Sequence, residues 1–238
     1  MRAAALVLSI VLLWALPART AKPELAVAAA ANLTQVFQLL APSFEAETGI
    51  HPVFSFGSTA QLARQIENGA PWDVFAGADA AHAQELDRKG LLTRGSRAVY
   101  ATGVLALWSP QGTVGGAEEL TNASVRMIAL ANPDLAPYGL AARETLLKMG
   151  IWDRVKGKIV YAENISMAKQ YGASGNADAV FTALSLVTGA KGKVIAIPEA
   201  LHAPLIQELG VVAASKNQTA ARRFADFLIK GKIGRANV

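Results

Sequence analysis

Four short segments of the chain combine hydroxyl or amide side chains with residue types that begin helices. Each follows an apolar, strand-like run, and none contains lysine or arginine. They are Asn32-Leu33-Thr34, Gly57-Ser58-Thr59, Pro137-Tyr138-Gly139 and Asn164-Ile165-Ser166. Helix N-termini carry unpaired backbone N–H groups and a partial positive charge, so they can hold an anion without a cation. One such segment alone is better explained by ordinary helix capping, but four together predict an anion site built from neutral donors.

The elements that must position these segments alternate between strand-like and helix-like patterns. Apolar runs such as residues 24–31 and 50–56 predict buried strands, and apolar residues at helical spacing between them predict helices. This alternation predicts an α/β fold with mostly parallel sheets. A long β-type run at 97–109 separates two such sets. We therefore predict lobe I at 23–103 plus 202–238, lobe II at 104–201, and a ligand cleft between them.

The start of the chain has the three-part layout of a secretory signal peptide. Met1-Arg2 is basic, residues 3–16 are apolar and uncharged, and residues 17–21 are mostly small. We predict that residues 1–21 are a cleaved signal, with the cut between Ala18 and Lys22, and that the mature protein is periplasmic. The alternative is a retained membrane anchor, for which the apolar run is short.

Composition excludes several other classes of protein. Hydrophobic residues make up 52% of the 238 residues, which argues against disorder. The chain is formally +5, and without the two arginines of the signal the balance is 21 − 18 = +3, with the basic residues scattered rather than in a nucleic-acid-binding block. Cysteine is absent, so no thiolate metal site exists. His82, Glu85 and Asp87 lie close along one predicted helix, but without a second cluster they indicate a solvated face.

The sequence carries no convincing catalytic pattern. Ser58 and Ser174 are the candidate nucleophiles, but neither lies in a G-x-S-x-G motif. The histidines, His51, His82 and His202, lie far apart in sequence and outside any triad context. We therefore predict a binding protein rather than an enzyme.

Taken together, the segments resemble the periplasmic molybdate-binding proteins of ABC importers, which bind molybdate and tungstate. The matching stretches are AAAANL at 28–33, FGSTAQLARQIENGAPWDVFAGAD at 56–79, ANPDLAPYGL at 131–140 and AENI at 162–165. The resemblance covers nearly all of the mature chain. It implies a type II periplasmic-binding-protein fold, no cofactor, delivery of the oxyanion to an ABC permease and its ATPase, and a monomer.

The resemblance also implies which residues hold the oxyanion. In that family, side-chain hydroxyls or amides and backbone N–H groups at these turns bind the oxygens. Carried onto this sequence, the set is Ala31, Asn32, Ser58, Thr59, Tyr138 and the N–H of Ile165. The metal of the oxyanion is then held only through its oxygens, with no direct bond to the protein.

The sequence departs from the common pattern of that family at several places. Many members have serine at the positions of Asn32 and Thr59, and a ligand tyrosine in the strand at Thr182. A minority branch instead places tyrosine in a Pro-Tyr-Gly loop, and Tyr138 resembles that branch. The C-terminal stretch 231–238 also lacks the usual last aromatic turn.

Two alternatives for the ligand stay open at the level of sequence. One is another oxyanion, such as sulfate, which is also a bare dianion and differs from molybdate mainly in size. The other is a preference for tungstate, which is nearly isosteric with molybdate. Amino acid binders need an arginine and an acid, and iron binders need paired tyrosines and a histidine; neither set is grouped at these turns.

Overall fold

The computed structural model of the chain describes residues 22–232. The predicted signal peptide and the end of the chain, residues 233–238, lie outside this range. Within the described residues, no helix is both long enough and apolar enough to cross a bilayer.

Strands and helices alternate along the chain as the sequence pattern predicts. The strands are β1 Glu24–Ala30, β2 His51–Gly57, β3 Val74–Ala76, β4 Ala98–Gly103, β5 Leu105–Ser109, β6 Ile128–Ala131, β7 Ile159–Ala162, β8 Ala179–Ala183, β9 Lys193–Ala196 and β10 Leu205–Val211. The α-helices are α1 Thr34–Thr48, α2 Thr59–Glu67, α3 Ala81–Arg88, α4 Pro137–Lys148, α5 Trp152–Val155, α6 Ile165–Ala173, α7 Leu184–Val187 and α8 Gln218–Phe227.

The strands form two sheets of five, with the orders β2-β1-β3-β10-β4 and β7-β6-β8-β5-β9. In the first sheet only β10 runs against the other four strands, and in the second only β5 does. The sheets are therefore mixed but mostly parallel, as predicted. We call the first sheet with its helices lobe I and the second sheet with its helices lobe II.

The chain passes between the sheets twice. The β-type run at 97–109 is divided into β4 of the first sheet and β5 of the second, with Val104 between them. The return passage lies between β9 and β10. The antiparallel strand of each sheet is the first strand after one of these passages: β5 follows the first passage, and β10 follows the second.

Two details differ from the sequence prediction. The resemblance places Tyr138 in a Pro-Tyr-Gly loop, but α4 begins at Pro137, so Tyr138 lies in the first turn of a helix. Proline suits that position because its missing N–H would have no helical partner. The second difference is β10, which the hydrophobic pattern does not reveal because Gln207 and Glu208 interrupt it; both side chains are nevertheless buried.

An aromatic cluster packs the C-terminal helix α8 against α1 in lobe I. Phe224 on α8 packs edge-on against Phe44 and Phe37 of α1, with ring centroids 5.0 and 5.7 Å apart. All three rings are almost completely buried. Aromatic pairs in this geometry stabilise the fold beyond the area that they bury, so α8 is anchored to the first sheet's layer of helices.

Candidate functional site

The four segments singled out in the sequence meet at one small cavity. Its lining residues are Ala30, Ala31, Asn32, Gly57, Ser58, Thr59, Ala78, Ala136, Pro137, Tyr138, Asn164 and Ile165. The set includes all six predicted site residues, and it contains no charged side chain. Two of the segments follow β1 and β2 of the first sheet, and two follow β6 and β7 of the second. The cavity therefore lies at the carboxyl ends of strands from both sheets, the place where α/β folds bind ligands.

Helix N-termini converge on this cavity. The helices α2, α4 and α6 begin at Thr59, Pro137 and Ile165, and a 3₁₀ turn begins at Ala31. First-turn N–H groups have no partner within their own helix, and they add a partial positive charge. One first-turn N–H of α6 already has a partner, because the N-cap residue Asn164 accepts from the N–H of Met167 through its side chain at 3.0 Å. The N–H of Ile165, the first residue of α6, takes no part in that bond.

The hydroxyls of Ser58 and Thr59 form different hydrogen bonds. Thr59 Oγ1 accepts from the N–H of Ala78 at 3.1 Å, so its proton stays available for an acceptor in the cavity. Ser58 Oγ instead donates to Gln61 Oε1 at 2.7 Å, so in this arrangement its proton is directed away from the cavity. Thr59 is therefore the better hydroxyl donor of the pair, and Ser58 needs a rotation about its side chain to donate to an anion.

The lobes are in contact beside the cavity. Gln61 Nε2 donates to Glu163 Oε1 at 2.5 Å, and the N–H of Ala60 donates to the carbonyl of Leu135 at 3.1 Å. The Gln61–Glu163 pair is exposed. Glu163 places a carboxylate beside a site whose predicted donors are all neutral. The residue directly precedes Asn164 in the chain, but only the tertiary structure shows that it reaches the opposite lobe.

The side of the cavity nearer the interlobe strands is held by a buried hydrogen-bond network. Asn32 Nδ2 donates to Gln207 Oε1 at 3.0 Å, and Gln207 Nε2 donates to Tyr138 Oη at 3.1 Å. Tyr100 Oη lies 3.0 Å from Gln207 Oε1 and 2.7 Å from the carbonyl of Gly77. Asn32 Oδ1 is buried without a partner. Sequence reasoning missed both Gln207 and Tyr100, because neither lies in a recognisable motif.

Both tyrosines of this network remain protonated at neutral pH. Burial raises the pKa of the Tyr138 hydroxyl above its ordinary value, and the hydrogen bond from Gln207 only partly opposes that shift. Burial also raises the pKa of Tyr100 well above its ordinary value. Because Tyr138 Oη accepts from Gln207, its own proton is left for another acceptor. The only predicted tyrosine of the site is thus a neutral hydroxyl donor.

Close packing explains the Pro-Tyr-Gly sequence at the start of α4. A Cβ added at Gly139 would lie 2.0 Å from the backbone carbonyl oxygen of Ala131, a distance that real atoms do not adopt. Gly103 has a similar role, since a Cβ there would lie 2.2 Å from Tyr138 Oη. The glycines let the backbone approach closely enough to place the tyrosine hydroxyl.

The structure gives no support to the competing sites considered from sequence. The Nδ1 atom of each histidine is hydrogen-bonded to a nearby group, which is Glu45 for His51, Asp79 for His82 and the carbonyl of Ala203 for His202. Within residues 22–232, no group of three or more metal-ligating side chains forms a cation site. The predicted solvated face is visible directly, because Glu85 and Asp87 form ion pairs with neighbouring basic residues. Thr182 is fully buried, and it is not among the cavity-lining residues.

Comparison with known proteins gives the family. A model of the bacterial extracellular solute-binding protein family matches residues 25–236. The molybdate-binding protein ModA of Azotobacter vinelandii is 39% identical over 218 residues, covering 86% of this chain and 84% of that protein. ModA of Rhodobacter capsulatus is 34% identical over 230 residues, covering 96% of this chain and 90% of that protein.

The fold agrees with these matches. The solved structure of the periplasmic molybdate-binding protein of Azotobacter vinelandii superposes with a TM-score of 0.85 at 32% identity, covering 90% of this chain and 97% of that one. The predicted two-lobe, type II periplasmic-binding-protein fold is thereby confirmed. With a family model that matches nearly the whole described chain, this protein belongs to the bacterial extracellular solute-binding protein family.

Proposed function

We propose that this protein binds molybdate, and tungstate with similar affinity, and delivers the oxyanion to the permease of an ABC transporter. The observation that carries the proposal is the cavity between the lobes, where helix N-termini and neutral side chains converge and no charged residue lines the wall. The similar proteins of Azotobacter vinelandii and Rhodobacter capsulatus are named as molybdate-binding proteins, which supports the same ligand here. The protein is a carrier and not an enzyme, in keeping with its family.

A cavity lined by helix N-termini and neutral side chains, without a carboxylate, suits a tetrahedral dianion that carries no proton. Phosphate keeps a proton near neutral pH, and no carboxylate lines the cavity to accept it. A buried polar group without a partner costs roughly 1–3 kcal/mol, which disfavours phosphate. Sulfate is also a bare dianion, so size must exclude it, and a sulfate-binding or tungstate-preferring protein is the alternative.

We assign the oxyanion contacts to the six residues expected from the sequence. The backbone N–H groups of Ala31 and Ile165 lie at helix starts, and Asn32, Ser58, Thr59 and Tyr138 bring side-chain donors. All six are at most 3% exposed, so the bonds to the anion form away from water. Many family members have a ligand tyrosine at the strand position that Thr182 occupies here. Tyr138 takes over that role, as in the branch with a Pro-Tyr-Gly sequence. The protein makes no direct bond to molybdenum and needs no cofactor.

The proposed function also implies where the protein works and what it docks on. We propose cleavage of the signal peptide between Ala18 and Lys22, export to the periplasm, and a monomer that docks on a permease coupled to an ATPase. We also propose the lobe bounds 23–103 plus 202–238 and 104–201, which are supported by the division of strands between the sheets.

Titration calorimetry on the mature chain tests the function. Molybdate and tungstate should bind tightly with one site per chain, while sulfate should bind at least about a hundredfold more weakly, a difference of roughly 2.7 kcal/mol. Phosphate should give no measurable heat. Sulfate binding as tight as molybdate binding would overturn the assignment in favour of the sulfate alternative.

A further inference from the structure

Gln207 touches the candidate site only through other residues, yet it is bonded to two of the proposed ligand side chains. It lies on β10, at the position where the pairing with β4 shifts register, and it is 3% exposed. Its Oε1 accepts from Asn32 Nδ2, and its Nε2 donates to Tyr138 Oη. The cavity-lining set includes Asn32 and Tyr138 but not Gln207.

The surroundings leave few other groups to orient these two side chains. A larger, mostly apolar cavity of about 340 Å³ lies on the other side of the network, where Asn32, Tyr138 and Gln207 share its wall with residues such as Leu184 and Val36. In such a setting a hydroxyl or amide keeps a single orientation only if a nearby polar group fixes it. The amide of Gln207 is the group within hydrogen-bond distance of both.

The role of Gln207 requires an amide, because an amide carries both a donor and an acceptor. The Nε2 donor occupies a lone pair of Tyr138 Oη, which forces the tyrosine proton to point elsewhere. The Oε1 acceptor holds one N–H of Asn32 and leaves the second free. A side chain with acceptors only, such as glutamate, would instead take the tyrosine proton for itself. Gln207 also links the lobes, because it lies on the first sheet while Tyr138 lies in the first turn of α4, which packs on the second.

We propose that Gln207 is a positioning residue for oxyanion binding: it turns the Tyr138 hydroxyl proton and the Asn32 amide toward the cavity when the lobes are together. This inference rests on the proposed function, and it adds a residue that no sequence motif marks. It predicts that the contribution of Tyr138 to affinity depends on Gln207, although Gln207 itself does not touch the ligand.

A double-mutant cycle on the mature protein tests the dependence, with molybdate affinity measured by calorimetry. Gln207→Met keeps the length and removes the amide, and it should weaken binding by about ten- to thirtyfold, with Tyr138→Phe weakening it by roughly ten- to a hundredfold. In the Gln207→Met background, Tyr138→Phe should cost less than about threefold, because its proton is no longer directed. Gln207→Glu should bind more weakly than Gln207→Met, since the carboxylate captures the proton and repels the dianion.

Gln218→Met is the matched control. Gln218 also lies in the lobe I part of the chain and uses both ends of its amide, accepting from Thr93 and donating to the carbonyl of Val212, but it lines neither cavity. Its replacement should lower the melting temperature without changing molybdate affinity. If Gln207→Met is unfolded at the assay temperature, Gln207→Asn retains an amide that is one methylene too short and should give the same loss.

The outcomes separate the two proposals. If the parent binds molybdate and the effects of Gln207→Met and Tyr138→Phe multiply independently, the positioning role is wrong and the function stands. If Gln207→Met binds like the parent, the role is also wrong. A parent that binds sulfate in place of molybdate overturns the proposed ligand, while non-multiplying losses of sulfate affinity would still support the positioning role.

Discussion

The sharpest test of the site is Tyr138→Phe, which removes one oxygen and keeps the ring. In the structure this oxygen accepts a hydrogen bond of 3.1 Å from Gln207, and the tyrosine is 2% exposed. The hydroxyl proton is thus free to donate to an oxyanion oxygen in a site shielded from water. A hydrogen bond to a charged group contributes roughly 1.5–3 kcal/mol, so the substitution should weaken molybdate binding by about ten- to a hundredfold.

The same substitution should also lower stability slightly without ligand. It takes away the acceptor of Gln207 Nε2, a neutral hydrogen bond that contributes about 1 kcal/mol. For a chain of this size, that corresponds to a fall in melting temperature of roughly 2–4 °C. The two effects are measured separately, by calorimetric titration with molybdate and by thermal unfolding of the ligand-free protein.

Tyr100→Phe is the control for this measurement. Tyr100 is also buried and also bonded to Gln207, but it is not among the residues that line the small cavity. It should lower stability by a similar amount and change molybdate affinity by less than about threefold. Parent-like affinity in Tyr138→Phe, with loss of binding in Thr182→Val, would show that the donor has been placed on the wrong element of lobe II.

Three further substitutions test separate features. Thr182→Val should leave molybdate affinity unchanged and raise the free energy of unfolding by about 1 kcal/mol, because Thr182 Oγ1 is buried without a partner; a lower melting temperature would contradict this. Gly139→Ala should strongly destabilise the protein in thermal unfolding, since the added Cβ meets the Ala131 carbonyl at 2.0 Å, and an unchanged melting temperature would refute the packing argument. Glu163→Gln keeps an acceptor for Gln61 but removes a negative charge from the surface beside the site, so molybdate should bind roughly two- to fivefold more tightly at low ionic strength, with the gain fading in salt. Weaker binding by Glu163→Gln would mean that the charge itself holds the lobes together.

The sequence determined the general architecture because its signals are local. Alternating apolar runs predict strands such as β1 and β2, and Gly49 after α1 adopts the left-handed conformation expected of a helix stop, with φ of 72°. The turn residues predicted to bind the oxyanion are brought together around one cavity, since strands of a parallel sheet end at the same edge. These features depend on neighbours a few residues away, so they can be seen in the chain itself.

The tertiary structure decided what depends on distant parts of the chain. The strand β10 escapes hydrophobic patterning because Gln207 and Glu208 occupy buried positions, where Gln207 is satisfied by the network and Glu208 by an ion pair with Arg97 at 2.6 Å. Other tertiary contacts show that Tyr138 is bonded to Gln207 and that the Glu163 carboxylate reaches Gln61 beside the site. A polar side chain is stable in the interior only when a partner is present, and the partners here are 69 to 175 residues away along the chain. The sequence by itself therefore predicted the proposed donors of the site, and only the folded chain shows which distant side chains are bonded to them.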